Sequence, residues 1–263
     1  MKKILILGSS GLIGHQIYSQ LEKLNKYKVL GVSRKNKFPA GSILLDVLNQ
    51  GELETLLITE SPDIVINCVG MLISDSEEYP KLASSLNAEL PITLDEISKQ
   101  LNFKLIHITT DCVFSGLKGT SYVETDKPDA THHYGLTKSL GEIISGSNLV
   151  IRTSVIGPEI TDRNEELFNW FFFSKGQIEG YKTAIWSGVT TLELSKKIDE
   201  FIRLDISGLY HLTNNQPISK YQLLLLLKKH LKKEIKIIPV NKNNLNKSFI
   251  DSRALISEVP GYE

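Results

Sequence analysis

Tyr134 and Lys138 stand four residues apart in the segment YGLTK. If this segment is helical, the two side chains lie on one face, about one turn apart. A phenol has a reference pKa of about 10, so it serves as an acid–base catalyst only when a nearby cation stabilises its phenolate. The Lys138 ammonium supplies such a cation. A surface Tyr/Lys pair on an amphipathic helix is the alternative, and the residues upstream favour the catalytic interpretation.

Upstream of this pair, Thr110 offers a hydroxyl that can contact the same substrate atom as Tyr134. Thr110 lies in the segment TTDCVFSG, directly after the apolar run 104–108, which we predict to be a strand. In open α/β sheets ligands bind at the carboxyl ends of the strands. Thr110 can therefore hydrogen-bond the carbonyl oxygen that Tyr134 protonates. A strand-end cap is the alternative; we predict that Thr110, Tyr134 and Lys138 are catalytic.

A glycine-rich turn near the start of the chain has the pattern of a dinucleotide site. GSSGLIG, residues 8–14, follows the apolar run 4–7 and opens a helical pattern. The early glycines permit a tight turn and a close approach of backbone to pyrophosphate, while the last lets helix and strand pack tightly. The helix N-terminus then offers N–H groups to phosphate oxygens. A glycine-rich turn without a ligand is the alternative. The predicted cofactor contacts here are Gly8, Ser10, Gly11, Leu12, Ile13 and Gly14.

The residues after the second predicted strand indicate which dinucleotide binds. A carboxylate about 20 positions beyond the glycine turn would hold the ribose 2′-hydroxyl of NAD. Ser33 and Arg34 stand there instead, with Lys35 and Lys37 behind them. A guanidinium suits a 2′-phosphate, whose charge it neutralises with a planar fork. NADPH is therefore the favoured cofactor and NADH stays open; a basic surface loop without a ligand is the alternative.

Short β-rich runs alternate with helical patterns through the first half of the chain, which predicts βαβ units and a parallel sheet covered on both faces. The predicted strands are 4–7, 28–32, 43–45, 63–68, 104–108 and 149–151. The pattern loosens after about residue 153. We therefore expect an α/β fold, with a Rossmann-type doubly wound parallel sheet over 1–153. Residues 154–263 are expected to form mainly a small α/β substrate-binding lobe, with some segments returning to the Rossmann domain.

Composition excludes several classes of function. Lys and Arg (30) balance Asp and Glu (30), so the chain offers no global field for nucleic acid or an anionic membrane. No run reaches the roughly 18 apolar residues of a membrane span. Two cysteines suit a reducing compartment, and we expect a cytoplasmic protein. The six histidines show no metal-ligand spacing, so no metal site is predicted.

Taken together, these motifs resemble an extended short-chain dehydrogenase/reductase, in particular dTDP-4-dehydrorhamnose reductase and related nucleotide-sugar 4-ketoreductases. The resemblance spans residues 1–158 in the family's order and is weaker beyond. Within that branch, TTDCVFSG and AIWSGVTTLELSK look more like reductases of UDP-linked 2-acetamido-2,6-dideoxyhexuloses. The matching segments, besides the glycine turn, are DIVINCVG, NAELP, TTDCVFSG, YGLTKSLGE and RTSVIGP.

The resemblance implies a role for each matching residue. Tyr134 would be the general acid, Lys138 would lower its pKa and hold the nicotinamide ribose, and Thr110 would orient the substrate carbonyl. Asp111 and Val113 would contact the substrate. Asn169 and Trp186 are candidates for stacking on the base, with core packing as the alternative. The remaining implied cofactor contacts are Ser33, Arg34, Asp46, Val47, Cys68, Val69, Gly70, Asn87, Tyr134, Lys138, Thr153 and Val155.

The implied activity is NADPH-dependent reduction of the 4-keto group of a nucleotide-activated 6-deoxyhexulose, in deoxysugar and surface-polysaccharide synthesis. The implied partners are a nucleotide sugar and a second copy of the chain, meeting through helices near 92–101 and 137–144. His132, His133 and the segment 71–73 depart from the family's pattern, which bears on the identity of the sugar. Two alternatives stay open: an epimerase or dehydratase that retains NAD, and a non-catalytic NADP-binding regulatory subunit like the β subunit of methionine adenosyltransferase.

Overall fold

A seven-stranded parallel sheet forms the centre of the molecule in a computed structural model, which describes residues 1–35, 41–160, 166–242 and 244–262. Its strands are β1 (Lys2–Leu7), β2 (Tyr27–Ser33), β3 (Ile43–Leu44), β4 (Ile64–Asn67), β5 (Lys104–Thr110), β6 (Leu149–Thr153) and β11 (Gly208–Leu212). They lie in the order β11-β6-β5-β4-β1-β2-β3. The order reverses between β1 and β4, where α/β sheets bind dinucleotides. Lys37 falls outside the described residues.

Helices pack on both faces of this sheet, which confirms the predicted doubly wound α/β fold. The helices are α1 (Gly14–Lys23), α2 (Gln50–Glu60), α3 (Ile73–Glu78), α4 (Pro80–Ser84), α5 (Leu90–Leu101), α6 (His133–Leu140), α7 (Leu167–Phe173), α8 (Thr191–Arg203) and α9 (Lys220–His230). A π-helical turn, Ser85–Glu89, joins α4 to α5. Such turns occur mostly inside helices and often at functional sites.

The sheet strands are apolar on both faces because each face is covered. On one face, Ile4 and Ile6 of β1 pack in a buried cluster with Ile17 of α1 and Phe201 of α8. On the other, Leu5 and Leu7 of β1 join a second cluster. Since consecutive side chains point to opposite faces, a near-continuous apolar run such as Ile4–Leu7 satisfies both layers.

The chain beyond β6 divides between the central sheet and a smaller region. α8 packs against α1, and β11 adds a parallel strand beside β6. The smaller region holds α7, α9 and short two- and three-stranded sheets. Its strands are β7 (Val155–Ile156), β8 (Gln177–Tyr181), β9 (Ala184–Trp186), β10 (Val189–Thr190), β12 (Ile218–Ser219), β13 (Lys236–Val240) and β14 (Leu245–Asn246).

A capping box sets the start of α9. The Ser219 hydroxyl accepts the Gln222 N–H at 3.1 Å, and the Gln222 side-chain oxygen accepts the Ser219 N–H at 3.1 Å. Two backbone donors that a helix start leaves unpaired are thereby satisfied. Across the described ranges, no helix is long and apolar enough to cross a membrane.

Candidate active site

The glycine-rich turn forms a cradle between β1 and α1. Gly8 has φ +80°, a left-handed conformation that other residues rarely adopt. A Cβ on Gly14 would lie 2.8 Å from the Gly8 carbonyl carbon, so only glycine lets the helix start this close to the strand. The N-cap residue, Ile13, supplies no side-chain cap. The His15 N–H is bonded to the Gly11 carbonyl at 3.1 Å, and a helix start of this kind can direct its other N–H groups toward an anion. These features fit the diphosphate of a dinucleotide.

The carboxyl ends of β2 and β4 flank this cradle. Ser33 is the buried last residue of β2, and Arg34 follows it with an exposed side chain. A Cβ on Gly8 would lie 3.2 Å from both the Cys68 carbonyl carbon and Val69 Cγ2. Predicted cofactor residues from three strands therefore lie along one edge of the sheet.

The outer predicted cofactor residues have their own local partners. Asp46 is exposed after β3 and its carboxylate accepts the Leu48 N–H at 3.1 Å, while Val47 is buried. Thr153 ends β6, and its hydroxyl donates to the Leu212 carbonyl of β11 at 3.1 Å. Val155 lies half-buried two residues further on. The Thr153 hydroxyl therefore joins β6 to β11, and Val155 is the more exposed of these two predicted cofactor residues.

Helix α6 carries Tyr134 and Lys138 on one face, as their spacing predicts. Its N-cap is His132, whose Nδ1 accepts the Gly135 N–H at 3.0 Å. A Cβ on Gly135 would overlap the Cys112 carbonyl oxygen. Glycine at this position therefore lets α6 pack directly against the turn that follows β5, which brings Tyr134 to Thr110.

Tyr134 is held as a protonated phenol. Burial raises its pKa well above the usual value, and the charges of Asp111 and Glu166 raise it further, while interaction with the Thr110 hydroxyl lowers it. The Thr110 hydroxyl in turn donates to Asp111 at 3.1 Å and accepts the Cys112 N–H at 3.1 Å. The phenol is therefore protonated at neutral pH, and Lys138 is not among the groups that shift its pKa, so the expected lowering by Lys138 does not appear here. The Thr110 hydroxyl beside the phenol can orient the proton acceptor.

Lys138, one turn beyond Tyr134 in α6, is buried, and its ammonium has reduced basicity. Its Nζ donates to the Ile108 carbonyl of β5 at 3.1 Å. Burial lowers its pKa to about 8, and the charge of Glu142 opposes that shift. Glu142 is itself fixed by a buried ion pair with Arg152, at 2.8 Å between Oε2 and Nη2. The ammonium is thus positioned by β5 and supported by a fixed carboxylate.

Asn87, in the π-helical turn, ties the end of β4 to α6. Its side-chain oxygen accepts the Met71 N–H at 2.9 Å, and its amide donates to the Thr137 hydroxyl at 3.2 Å. A Cβ on Gly70 would lie 3.2 Å from that oxygen and 3.6 Å from Lys138 Nζ. Asn87 and Gly70 therefore shape the wall against which the lysine lies.

The predicted substrate residues fall into two groups. Asp111 lies beside Thr110 and Tyr134, and Val113 packs in a small buried cluster next to them. Trp186 is only 3% exposed, its indole N–H donates to Ser154 at 2.7 Å, and its ring stacks on Tyr262. Asn169 is buried and accepts the Glu159 N–H at 3.2 Å. For Asn169 and Trp186 this geometry favours core packing over stacking on a base.

Four side chains near Tyr134 were not predicted from the sequence. The His132 ring lies nearly parallel to the Tyr134 ring, 6.2 Å between centroids. Glu166 interacts electrostatically with Tyr134. Lys220 interacts electrostatically with Asp111, and Lys247 Nζ lies 3.6 Å from Cys112 Sγ. Only the adjacency of His132 to Tyr134 could have indicated any of them.

Neither cysteine has the character of a nucleophile. Burial raises the pKa of Cys112 to about 12, with Asp111 adding to the shift, and burial raises the pKa of Cys68 to about 12. Both thiols are therefore neutral at physiological pH, and the thiolate is the reactive form. In the ranges that the structure covers, no cluster of His, Cys, Asp and Glu could hold a metal ion.

Comparison with known proteins gives relatives of two kinds. The methionine adenosyltransferase 2 subunit beta of Xenopus laevis is 27% identical over 239 residues, covering 84% of this chain and 70% of that protein. The dTDP-4-dehydrorhamnose reductase of Burkholderia thailandensis is 31% identical over 160 residues, covering 58% of this chain and 49% of that one. The chain thus spans about half the length of that reductase.

Among solved structures, the dTDP-4-dehydrorhamnose reductase of Bacillus anthracis in complex with NADP superposes with a TM-score of 0.87. The two chains are 20% identical, and the match covers 99% of this chain and 95% of that one. At this identity the likeness concerns the fold. The sequence itself shows the family. The model of the family described as RmlD substrate binding domain matches residues 1–168. With more than half of its length matched, and with the Tyr/Lys pair and glycine cradle inside that span, the chain belongs to the RmlD substrate binding domain family, a branch of the extended short-chain dehydrogenases/reductases.

Proposed function

We propose that this protein is an NADPH-dependent reductase of the 4-keto group of a nucleotide-activated 6-deoxyhexulose, acting in deoxysugar and surface-polysaccharide synthesis. The observation that carries the proposal is the arrangement of Thr110, Tyr134 and Lys138. A buried, protonated phenol lies beside the Thr110 hydroxyl, and the lysine is on the same helix face as the tyrosine. All three lie at the carboxyl edge of the sheet, where the glycine cradle also opens.

These residues account for the proton side of a carbonyl reduction. NADPH, when bound, supplies a hydride to the carbonyl carbon. Thr110 holds the carbonyl oxygen in place, and Tyr134 donates its proton to that oxygen as negative charge develops there. Lys138 would hold a ribose hydroxyl of the cofactor and would stabilise the phenolate that Tyr134 becomes. The protein's main contribution is positioning, which fixes the reacting groups in one geometry.

The choice of NADPH is supported by Arg34 and by a named neighbour. Arg34 is exposed directly after β2, where a guanidinium can meet a 2′-phosphate. The Bacillus anthracis structure is described as a complex with NADP. An epimerase or dehydratase that retains NAD would be expected to carry a carboxylate at the Arg34 position. Oxidised NAD that stays bound through purification would favour that alternative.

The test is loss of NADPH absorbance with a panel of freshly generated UDP- and dTDP-linked 4-keto-6-deoxysugars. We expect one member of the panel to be reduced, which would identify both sugar and base. NADPH binding without turnover of any member would contradict the reductase proposal.

Replacement of Arg34 by Ala should weaken the binding of NADPH much more than the binding of NADH. One lost charge-assisted contact corresponds to roughly a 10- to 100-fold rise in the dissociation constant, while the NADH constant should change less than about twofold. Arg203→Ala is a matched control, because Arg203 bonds Asp199 near the start of β2, at the opposite edge of the sheet. Isothermal titration of both cofactors measures this, and equal loss of NADPH and NADH affinity would exclude Arg34 as the 2′-phosphate ligand.

Turnover should fall as the pH rises through about 8, the pKa to which burial lowers Lys138. Below that pH the ammonium is charged and can stabilise the Tyr134 phenolate; above it the charge is lost. In Lys138→Arg the alkaline limb should move upward by more than one pH unit, because a guanidinium stays protonated. A kcat–pH profile of both proteins checks this. An alkaline limb that stays in place in the arginine variant would assign it to another group.

A second candidate function is a non-catalytic NADP-binding regulatory subunit. The observation in its favour is the match to the methionine adenosyltransferase 2 subunit beta of Xenopus laevis, which covers 84% of this chain, against 58% for the Burkholderia thailandensis reductase. If the panel gives no turnover, pull-down with the tagged protein from its own cells should recover a methionine adenosyltransferase. The arrangement of Thr110, Tyr134 and Lys138 favours the enzyme.

We also propose a cytoplasmic homodimer. Leu136, Leu140 and Ile144 are exposed along and just beyond α6, in the segment through which the family resemblance implies pairing, and Leu101 is exposed at the end of α5. A second copy of the chain would remove this apolar surface from water. Both cysteines are free thiols, as suits a reducing compartment. Light scattering on the purified protein would measure the oligomeric state.

A further inference from the structure

Two lysines from the C-terminal region point toward the turn that follows β5. Lys220 is the first residue of α9, and its Nζ lies 4.9 Å from the centroid of the Trp186 ring. Lys247 follows β14, and its Nζ lies 3.6 Å from Cys112 Sγ. Both act electrostatically on groups next to Tyr134, Lys220 on Asp111 and Lys247 on His132. Two separate elements therefore bring positive charge to the same side of the candidate active site.

Neither lysine forms an ion pair with a carboxylate in the described part of the chain. The ion pairs found there at 4.0 Å or less include neither lysine. Lys247 contacts a thiol that is neutral at physiological pH. The charged groups that act on Lys220 are Asp111, Glu166 and Lys247. Asp111 already accepts the Thr110 hydroxyl.

The position of Lys220 is costly for a cation without an anion. The first turn of a helix carries partial positive charge, which disfavours a lysine there. Burial lowers the pKa of Lys220 and Lys247 adds to that shift, while the charges of Asp111 and Glu166 oppose it. The Trp186 ring beneath the ammonium offsets part of this cost and fixes its direction. An anion bound between the two lysines would relieve both the helix-dipole and the lysine–lysine repulsion.

We propose that Lys220 and Lys247 bind the diphosphate of the nucleotide sugar. This rests on the proposed function, whose substrate carries a diphosphate directly attached to the sugar that Tyr134 protonates. Two ammonium groups match the two negative charges of such a diphosphate. Asp111 and Glu166 carry negative charge and would repel the diphosphate from the Tyr134 side. The lysines thus orient the keto group toward Tyr134.

The cofactor also contains a diphosphate, but another part of the protein accounts for it. The glycine cradle and the uncapped start of α1 lie at the ends of β1 and β4. The lysines instead face the turn after β5, from the C-terminal side. The two anion sites should therefore respond to different substitutions.

The experiment measures binding of UDP, dTDP, uridine and NADPH by isothermal titration to the full chain and to Lys220→Gln and Lys247→Gln. Each variant should bind the nucleoside diphosphate that the wild type prefers roughly 10- to 100-fold more weakly. Uridine and NADPH should change less than about twofold. Lys220→Arg keeps the charge and should recover most of the affinity. Lys229→Gln is the matched control, because Lys229 is an exposed lysine at the other end of α9.

Three results would overturn the proposal: no nucleoside diphosphate binding by the wild type, unchanged binding in both variants, or an equal loss of NADPH binding. The last would assign the lysines to the cofactor. Lysine-dependent binding of a nucleoside diphosphate without reduction of any panel sugar would leave this proposal standing and overturn only the reductase activity. Thermal unfolding of each variant shows whether a loss of binding reflects a loss of fold.

Discussion

Replacing Tyr134 by Phe should lower kcat for NADPH oxidation by roughly 10²- to 10⁴-fold, the usual contribution of a positioned proton donor. The substitution removes one hydroxyl, and the ring keeps its packing beside His132. The developing alkoxide then has only the Thr110 hydroxyl to stabilise it. Affinity for NADPH should change less than about threefold, because the cofactor cradle is formed by other residues. Stopped-flow absorbance with the reduced member of the sugar panel measures the rate directly.

Tyr79→Phe is the matched control. Tyr79 is 52% exposed between α3 and α4, so the same loss of a hydroxyl should leave kcat within about twofold of the wild type. If Tyr134→Phe keeps more than a tenth of the wild-type rate, the proton comes from another group, and the mechanism proposed for Tyr134 is wrong.

Replacing Gly14 by Ala should destabilise the fold by about 3 kcal/mol, at the upper end of what overpacking costs, and should abolish measurable NADPH binding. The added methyl group would lie 2.8 Å from the Gly8 carbonyl carbon. Backbone on both sides would have to move, because neither the strand end nor the helix start has a flexible side chain that can yield. Urea denaturation gives the free energy of unfolding, and titration gives the affinity.

Gly51→Ala tests the same chemical change where space is available. Gly51 lies in the first turn of α2, and the nearest atom to an added Cβ is Asn49 Oδ1 at 4.0 Å. Alanine should stabilise this helix by about 0.5–1 kcal/mol without affecting NADPH. Equal effects of the two substitutions on stability would show that Gly14 is not required by the close approach of α1 to β1.

Several features follow from short stretches of sequence because their physical causes are local. The run Ile4–Leu7 followed by GSSGLIG predicts a buried strand, a tight turn and a helix start, and β1 and α1 form there. The four-residue spacing of Tyr134 and Lys138 predicts a shared helix face, and α6 provides it. Alternation of strands and helices predicts the parallel sheet. In each case the deciding interaction joins residues fewer than about ten positions apart, or repeats with a regular period.

Other features depend on contacts between distant segments. Lys220 and Lys247 lie more than 100 residues beyond Cys112, and no spacing rule connects them with it. Trp186 could be read as a stacking surface from its type alone, but Ser154 and Tyr262 enclose it in the core. Asn87 acquires its role because packing of α6 brings Thr137 to it. The residue types at the reaction centre can thus be predicted from the sequence. The surroundings that orient the substrate depend on how the C-terminal region packs against the sheet, because burial and charge at each side chain are set by neighbours far away in sequence.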